Sequence, residues 1–420
     1  AGFMHALPIQ REGLFFTGFL AGATFFIVPN AVVFLITLGV EAKAGAVNLS
    51  VLALWFAVQS MYCLFFFCFA TICGFVTGHI LALPAFYFIF NFLSIGIYSL
   101  VENVLRNFVY GFHAITGALP VANKLSPLYN ISKVIRVSTE RVNGVTTNVT
   151  LRGVPTLVTY TVVGLVLAAL ALLLYRRHQA EQAGEVVTAA WLRPVFKYGV
   201  AFCGALAFGS LLYEIFIEAL WGSAWGMLGF LLLCGFLSYL VAEMLLQKSF
   251  RVLKKSWKGC AVFLAVLVVL TVAMELDLTG YEKRVPNAAE VESVTLNDVN
   301  SMPYDSGRSS DINASDSALI ARMISLHTSA VRGKAAAERA RLDYYHAGST
   351  DAARDEGYFD TLRVTNFNLT YTLKNGQTMS RFYRIPVTAE LLGDPASPAA
   401  MLLDILNHRA NPAADYFPDT

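Results

Sequence analysis

Residues 44–101 read AGAVNLSVLALWFAVQSMYCLFFFCFATICGFVTGHILALPAFYFIFNFLSIGIYSLV, 58 positions without one Asp, Glu, Lys or Arg. A helix that crosses a membrane needs about 20 mostly apolar residues, because each advances 1.5 Å through a hydrocarbon core of about 30 Å. The run is too long for one crossing, so it must turn back on itself. Gly74, Gly78 and Pro84 punctuate it, which predicts one helix over 52–75 and another over 85–108. Upstream, an apolar stretch over 14–40 lies between Arg11-Glu12 and Glu41-Ala42-Lys43, with Pro29 inside it and a kink expected there. Downstream, 153–175, 198–217, 220–246 and 259–276 have the same length and character. The sequence therefore predicts about seven spans.

Composition agrees with that reading. The chain has 420 residues, of which 56% are hydrophobic and only 14% charged, against about 25% charged in soluble domains. Residues 1–280 carry 17 of the 31 Lys+Arg and 11 of the 29 Asp+Glu, a net of +6. Residues 281–420 carry 14 and 18, a net of −4. The expected fold is a polytopic α-helical membrane domain followed by a small soluble α+β domain. Its divisions are a cytoplasmic segment over 1–13, a transmembrane domain over 14–278 and an extracytoplasmic domain over 279–420. In the last, Leu319, Ile320, Met323, Ile324 and Leu326 predict an amphipathic helix over 316–340. Phe367, Leu369, Tyr371 and Leu373 alternate with polar residues, Asn375-Gly376 follows, and 378–387 is again β-rich. That pattern predicts a hairpin with a type I′ turn.

The short connectors rich in Lys and Arg set the orientation. They are Arg176-Arg177, Arg193 with Lys197, and the cluster Lys248, Arg251, Lys254, Lys255 and Lys258. Placing them in the cytoplasm puts 4–12 there as well. The 112–152 loop and everything after Leu276 then lie outside.

Several chemistries have no motif. GxxxxGK[ST], HExxH and GxSxG are all missing from the sequence, so nucleotide hydrolysis or catalysis by this chain alone is not expected. Cys63, Cys68, Cys73, Cys203, Cys234 and Cys260 all fall in apolar stretches with no CxxC pair, which predicts buried thiols and no metal site. A net charge of +2 gives no case for nucleic acid. Ionisable residues within spans are costly and are the functional candidates: Glu102 with Arg106, Glu214 with Glu218, and Glu243. They read either as a polar lining for a substrate path or as structural ion pairs and interfacial side chains. Phe65-Phe66-Phe67 reads as lipid-facing filler.

The segment Met4-His-Ala-Leu-Pro-Ile-Gln-Arg-Glu-Gly-Leu-Phe-Phe16 is short, semi-polar and placed just before a span. It resembles the SLPIKRE segment of ABC-2-type transporter permeases of the Gram-positive Ytr-like group. The resemblance continues through 174–185, Arg193-Pro-Val-Phe-Lys197, 242–254, Gly280-Tyr-Glu-Lys-Arg-Val-Pro286 and 371–386, in the right order. It departs from the family pattern at Gln10, where a Lys is usual. The resemblance implies a permease subunit that binds no cofactor itself. ATP and Mg would be held by a separate ABC ATPase subunit, with a second permease subunit, identical or homologous, and membrane lipids as further partners. It also implies that His5, Leu7, Pro8, Ile9, Arg11 and Glu12 contact the ATPase, and that further helices precede this chain. The substrate class expected is a lipid, peptide or antimicrobial compound for export. The competing expectation is a membrane receptor or scaffold whose outer domain binds a ligand or envelope component without transport.

Overall fold

The computed structural model describes residues 11–45, 47–77, 80, 82–115, 117–142, 145–177, 192–217, 219–220, 222–297, 299, 311–348 and 363–407. The protein is mostly helical. Among the described residues, seven helices are long and apolar enough to cross a membrane: α1 (Arg11–Ala44), α2 (Leu49–Val76), α3 (Leu83–Phe108), α6 (Val154–Arg177), α7 (Leu192–Phe216), α8 (Ala224–Gln247) and α9 (Leu253–Glu275). They coincide with the seven stretches expected, and α1 continues on both sides of Pro29.

The chain forms two compact units. One holds residues up to Ile97 with Leu119–Lys197 and Ala242–Phe250, and the other holds Tyr98–Ala118, Tyr198–Val241 and the chain from Arg251 on. In the first, α2 packs along α6 and α1. A Cβ at Gly164 of α6 would sit 3.1 Å from the Phe65 ring, so the missing side chain lets the two backbones approach closely. Phe65 is accordingly buried in this seam, and Phe67 lies against Gly22 of α1. Phe65 and Phe67 thus pack between helices where lipid contact was expected. The 112–152 connector contains α4 (Ala118–Lys124), α5 (Pro127–Val134) and an antiparallel hairpin of β1 (Arg136–Val142) and β2 (Val145–Arg152). Tyr160 anchors it: the phenol donates to the Lys124 carbonyl at 2.7 Å and accepts from Asn130 Nδ2 at 2.9 Å.

In the second unit, Tyr213, Met227 and Leu231 of α7 and α8 bury against Val104 and Phe108 of α3. A neighbouring cluster joins Ala201, Ala205, Tyr239, Phe263 and Leu267. The unit also holds a four-stranded antiparallel sheet in the order β4-β3-β5-β6, from β3 (Val291–Asn297), β4 (Ile312–Ala314), β5 (Arg363–Leu373) and β6 (Thr378–Val387). Alternate positions Phe367, Leu369 and Tyr371 face a core completed by α10 (Ser317–Arg332) and α13 (Pro398–Asn407). Short helix α12 (Ala389–Gly393) precedes α13.

Two expectations need correction. The helix expected over 316–340 is two helices: α10 stops at Gly333, and α11 (Lys334–Gly348) starts beyond it. The hairpin sits at Asn375-Gly376, but Asn375 is not in the left-handed region. Only Gly376 is, at φ +79°. Gly376 N–H donates to the Leu373 carbonyl at 2.8 Å, and the Asn375 side chain accepts from Gln377 N–H at 2.9 Å. The connection is therefore the three-residue kind with one left-handed glycine, which removes the need for φ > 0 at both central positions.

The chain leaving α3 runs beside β6. Phe112 bridges Arg381, and Phe382 N–H donates to the Gly111 carbonyl at 3.3 Å. Gly111 is left-handed at φ +74°, and a Cβ there would meet the Tyr383 ring at 2.8 Å. Only glycine satisfies both constraints.

Candidate functional site

Of the residues expected to contact an ATPase, His5, Leu7, Pro8 and Ile9 lie outside the described residues. Arg11 opens α1, and Glu12 accepts an ion pair from Arg176 at the far end of α6, 2.7 Å away. Among the span candidates, Arg106 pairs with Glu102 at 2.5 Å one turn away. Glu243 is buried and is held by Lys197 at 3.3 Å, while its other oxygen accepts from Gln247. Glu214 is exposed in the last turn of α7. Glu218 lies outside the described residues. All six cysteines are free thiols, and among the described residues no group of His, Cys, Asp and Glu is placed to hold a metal ion.

The Glu102–Arg106 pair allows a quantitative test. Arg106 is half exposed, so its interaction with Glu102 is expected to be worth about 0.5–1 kcal/mol. Glu102→Gln and Arg106→Gln should each lower folded yield in detergent more than the double change does. Strict additivity would mean that neither residue depends on the other.

A second arrangement lies in the second unit, where the ends of α3 and α9 meet the β5–β6 hairpin. A cavity of about 660 Å³ opens there. Its lining includes apolar Leu105, Val109, Leu270 and Met274, and polar Asp277, Arg284, Glu290, Thr378 and Arg381. Arg381 occupies an inward position of β6, paired with Leu369, and is only 2% exposed. Its guanidinium lies over the Tyr281 ring at 3.8 Å and donates to the carbonyls of Ser380 and Tyr281, each at 3.2 Å. Its Nε is enclosed without a partner, and no carboxylate among the described residues pairs with it. Asp277 is left-handed at φ +47°. One of its oxygens accepts from Glu282 N–H at 3.3 Å, and the other, Oδ2, is enclosed without a partner.

Two buried groups stand behind this cavity. Glu282 accepts from the Tyr110 backbone N–H at 2.8 Å and from Lys334 Nζ at 2.6 Å, fastening the chain after α9 to the chain after α3 and to α11. Burial alone would lower the Lys334 pKa, but the hydrogen bond and charge of Glu282, with Glu338 and Glu275, outweigh it and raise the value. His327 of α10 is fully buried with Nδ1 3.0 Å from the Tyr371 hydroxyl. Burial, helped by the positive charge of Arg381, pushes its pKa down to about 3, so it is neutral at pH 7. Burial also raises the phenols of Tyr110, Tyr371 and Tyr383.

No protein-family model matches the chain, and no curated protein or solved structure matches it either.

Arg381, Asp277, Glu282 and His327 were not singled out by sequence reasoning. For Arg381 a signal was present: Met379, Arg381, Tyr383 and Ile385 share one face of β6, and a charge at an apolar register position is out of pattern. For Glu282 no local pattern exists, since its partners Tyr110 and Lys334 come from distant elements.

Proposed function

We propose that the chain is a membrane-embedded permease subunit energised by a separate ABC ATPase, with the sheet-bearing module outside the cell membrane. The observation that carries the topology is how helix ends pair. In the first unit, Glu12 at the start of α1 pairs with Arg176 at the end of α6. Phe15, Phe75 and Tyr175 form a ring cluster from the start of α1 and the ends of α2 and α6. Lys197 near the start of α7 pairs with Glu243 near the end of α8. In the second unit, Tyr239 near the end of α8 donates to the Ser256 carbonyl near the start of α9. The excess of Lys and Arg in the connectors assigns every one of these ends to the cytoplasm. On the other side, Tyr110 after α3 meets Glu282 after α9, and both are assigned outside.

The topology is tested by a cysteine at Glu390, an exposed residue of α12. It should react with an impermeant thiol reagent in intact cells. Reaction only after lysis would reverse the assignment.

The transport reading rests on the resemblance of 4–16 and on that segment abutting α1. Arg11→Glu should strip an ATPase subunit from the detergent-purified complex and abolish substrate-stimulated hydrolysis, since an interface anchor is worth about 2 kcal/mol or more, roughly 30-fold in affinity. Membrane insertion should be unchanged. The cavity beside Arg381 keeps the receptor reading in play. Purification of the wild-type chain without any ATPase would favour that reading over transport.

A further inference from the structure

We propose that the cavity between the ends of α3 and α9 and the β5–β6 hairpin binds a phospholipid with an ammonium-bearing head group, its phosphate on Arg381 and its ammonium on Asp277. The proposal rests on the membrane reading of the helices, and three observations carry it.

The first is the unsatisfied charge. A buried cation without a counter-charge is strongly unfavourable, and proteins rarely keep one without a partner. Arg381 is 2% exposed, has an idle Nε and, among the described residues, has no paired carboxylate. The Tyr281 ring beneath it stabilises a cation but does not neutralise it. Arg381 is among the residues that line the cavity, and phosphate oxygens match the geometry of a guanidinium fork.

The second is the opposite charge in the same lining. Asp277 Oδ2 is enclosed and idle as well, yet the two groups do not pair with each other across the cavity they both line. A purely anionic ligand would satisfy Arg381 and worsen Asp277. A head group with both charges satisfies the two together. A primary ammonium is preferred to a quaternary one because only the former donates hydrogen bonds to a carboxylate. The left-handed backbone of Asp277 (φ +47°) holds its carboxylate in this lining at some conformational cost, a form of strain that recurs at binding sites.

The third is the mixed character of the lining. Leu105, Val109, Leu270 and Met274 belong to the last turns of two apolar helices or follow them directly. Acyl chains entering from the bilayer would meet those residues, while the head group meets the polar ones. About 660 Å³ is within the range of pockets that enclose small organic ligands and far beyond what a single ion needs.

The test uses the full chain in detergent, with native mass spectrometry counting bound dioctanoyl lipids. Dioctanoyl phosphatidylethanolamine should bind at least about tenfold more tightly than dioctanoyl phosphatidylcholine or phosphatidylglycerol, the scale of one charge-assisted hydrogen bond. Asp277→Asn should erase the preference for ethanolamine while leaving phosphatidylglycerol binding equal or better. Arg381→Gln should weaken all three lipids. Thr378→Trp, which fills the cavity from an exposed strand position, should abolish binding with the melting temperature preserved, and so separates site loss from misfolding. Equal binding of the three lipids, or lipid counts unmoved by Asp277→Asn and Thr378→Trp, overturns the proposal. Equal affinity for glycerophosphoethanolamine, which has no acyl chains, overturns its amphiphile part. Failure of the membrane reading is seen separately: the chain would be released from membranes by alkaline carbonate.

Discussion

Lys334→Met is expected to cost about 3–5 kcal/mol of stability, the range for a buried ion pair broken from one side. The carboxylate of Glu282 is 5% exposed, so losing the ammonium strands a negative charge away from water. Glu282→Gln should cost less. The amide still accepts from Tyr110 N–H, and Lys334, which is partly exposed, keeps Glu338 at 3.6 Å. The order of the two variants is the informative result, because a simple count of lost contacts would put Glu282→Gln first. Thermal unfolding of the full chain in detergent should show a drop of roughly 10 °C for Lys334→Met. The raised pKa of Lys334 adds an alkaline limit. Its contribution is complete below the ordinary value of 10.5 and is lost as pH rises through the higher folded value. A fall of less than 2 °C for Lys334→Met, or the reverse order, would show that the clamp around Glu282 does not hold the second unit together.

Acid sensitivity through His327 is the second large effect. The groups facing its ring are the Tyr371 and Tyr383 phenols and the Arg381 guanidinium, none of which is a carboxylate that could welcome an imidazolium. The unfolded chain takes up a proton below pH 6.5, whereas the folded chain resists it down to about pH 3. Stability from this residue is therefore complete above 6.5 and falls by about 1.4 kcal/mol per pH unit below it. Between pH 7 and 5 the wild type should lose about 2 kcal/mol more than His327→Gln, which cannot titrate. Denaturant midpoints measured across that interval give the comparison directly. Parallel curves would mean that His327 is charged in the folded protein or reached by water.

Much of the architecture was legible because it depends on solvent rather than on partners. Twenty apolar residues in a row have few alternatives to a long helix, so all seven were placed from length and charge alone. The β5–β6 hairpin was equally readable, since alternation and Asn375-Gly376 are local signals. Its turn type was not, because one left-handed glycine suffices where two positive φ positions were assumed. The β1–β2 hairpin escaped although Asn143-Gly144 stands between Val142 and Val145. Val145, Val149 and Leu151 of β2 do alternate with polar residues, but β1 has only Val137 and Val142 as apolar positions and gives no matching alternation. The break at Gly333 escaped for the opposite reason: Ala335, Ala336 and Ala337 continue a helical composition on the far side. The candidate site was the least legible part. The pairings of Glu282 with Tyr110 and of Arg381 with Tyr281 join residues that no sequence window contains, and only the folded chain brings them together.

The path of residues 110–112 also bears on how the sheet module behaves when handled alone. β6 is an outer strand, with main-chain donors and acceptors on its free side. Gly111 and Phe112 occupy part of that side, and Tyr110 packs its ring 5.4 Å from Tyr383 while its hydroxyl reaches the Ala330 carbonyl. A fragment cut after α9 would keep all four strands of the sheet, β3 to β6, yet lose this cover. Bare sheet edges recruit strands from neighbouring molecules, so such a fragment would tend to self-associate or aggregate. Grafting a copy of 109–113 in front of the fragment through a flexible linker would restore the missing seal.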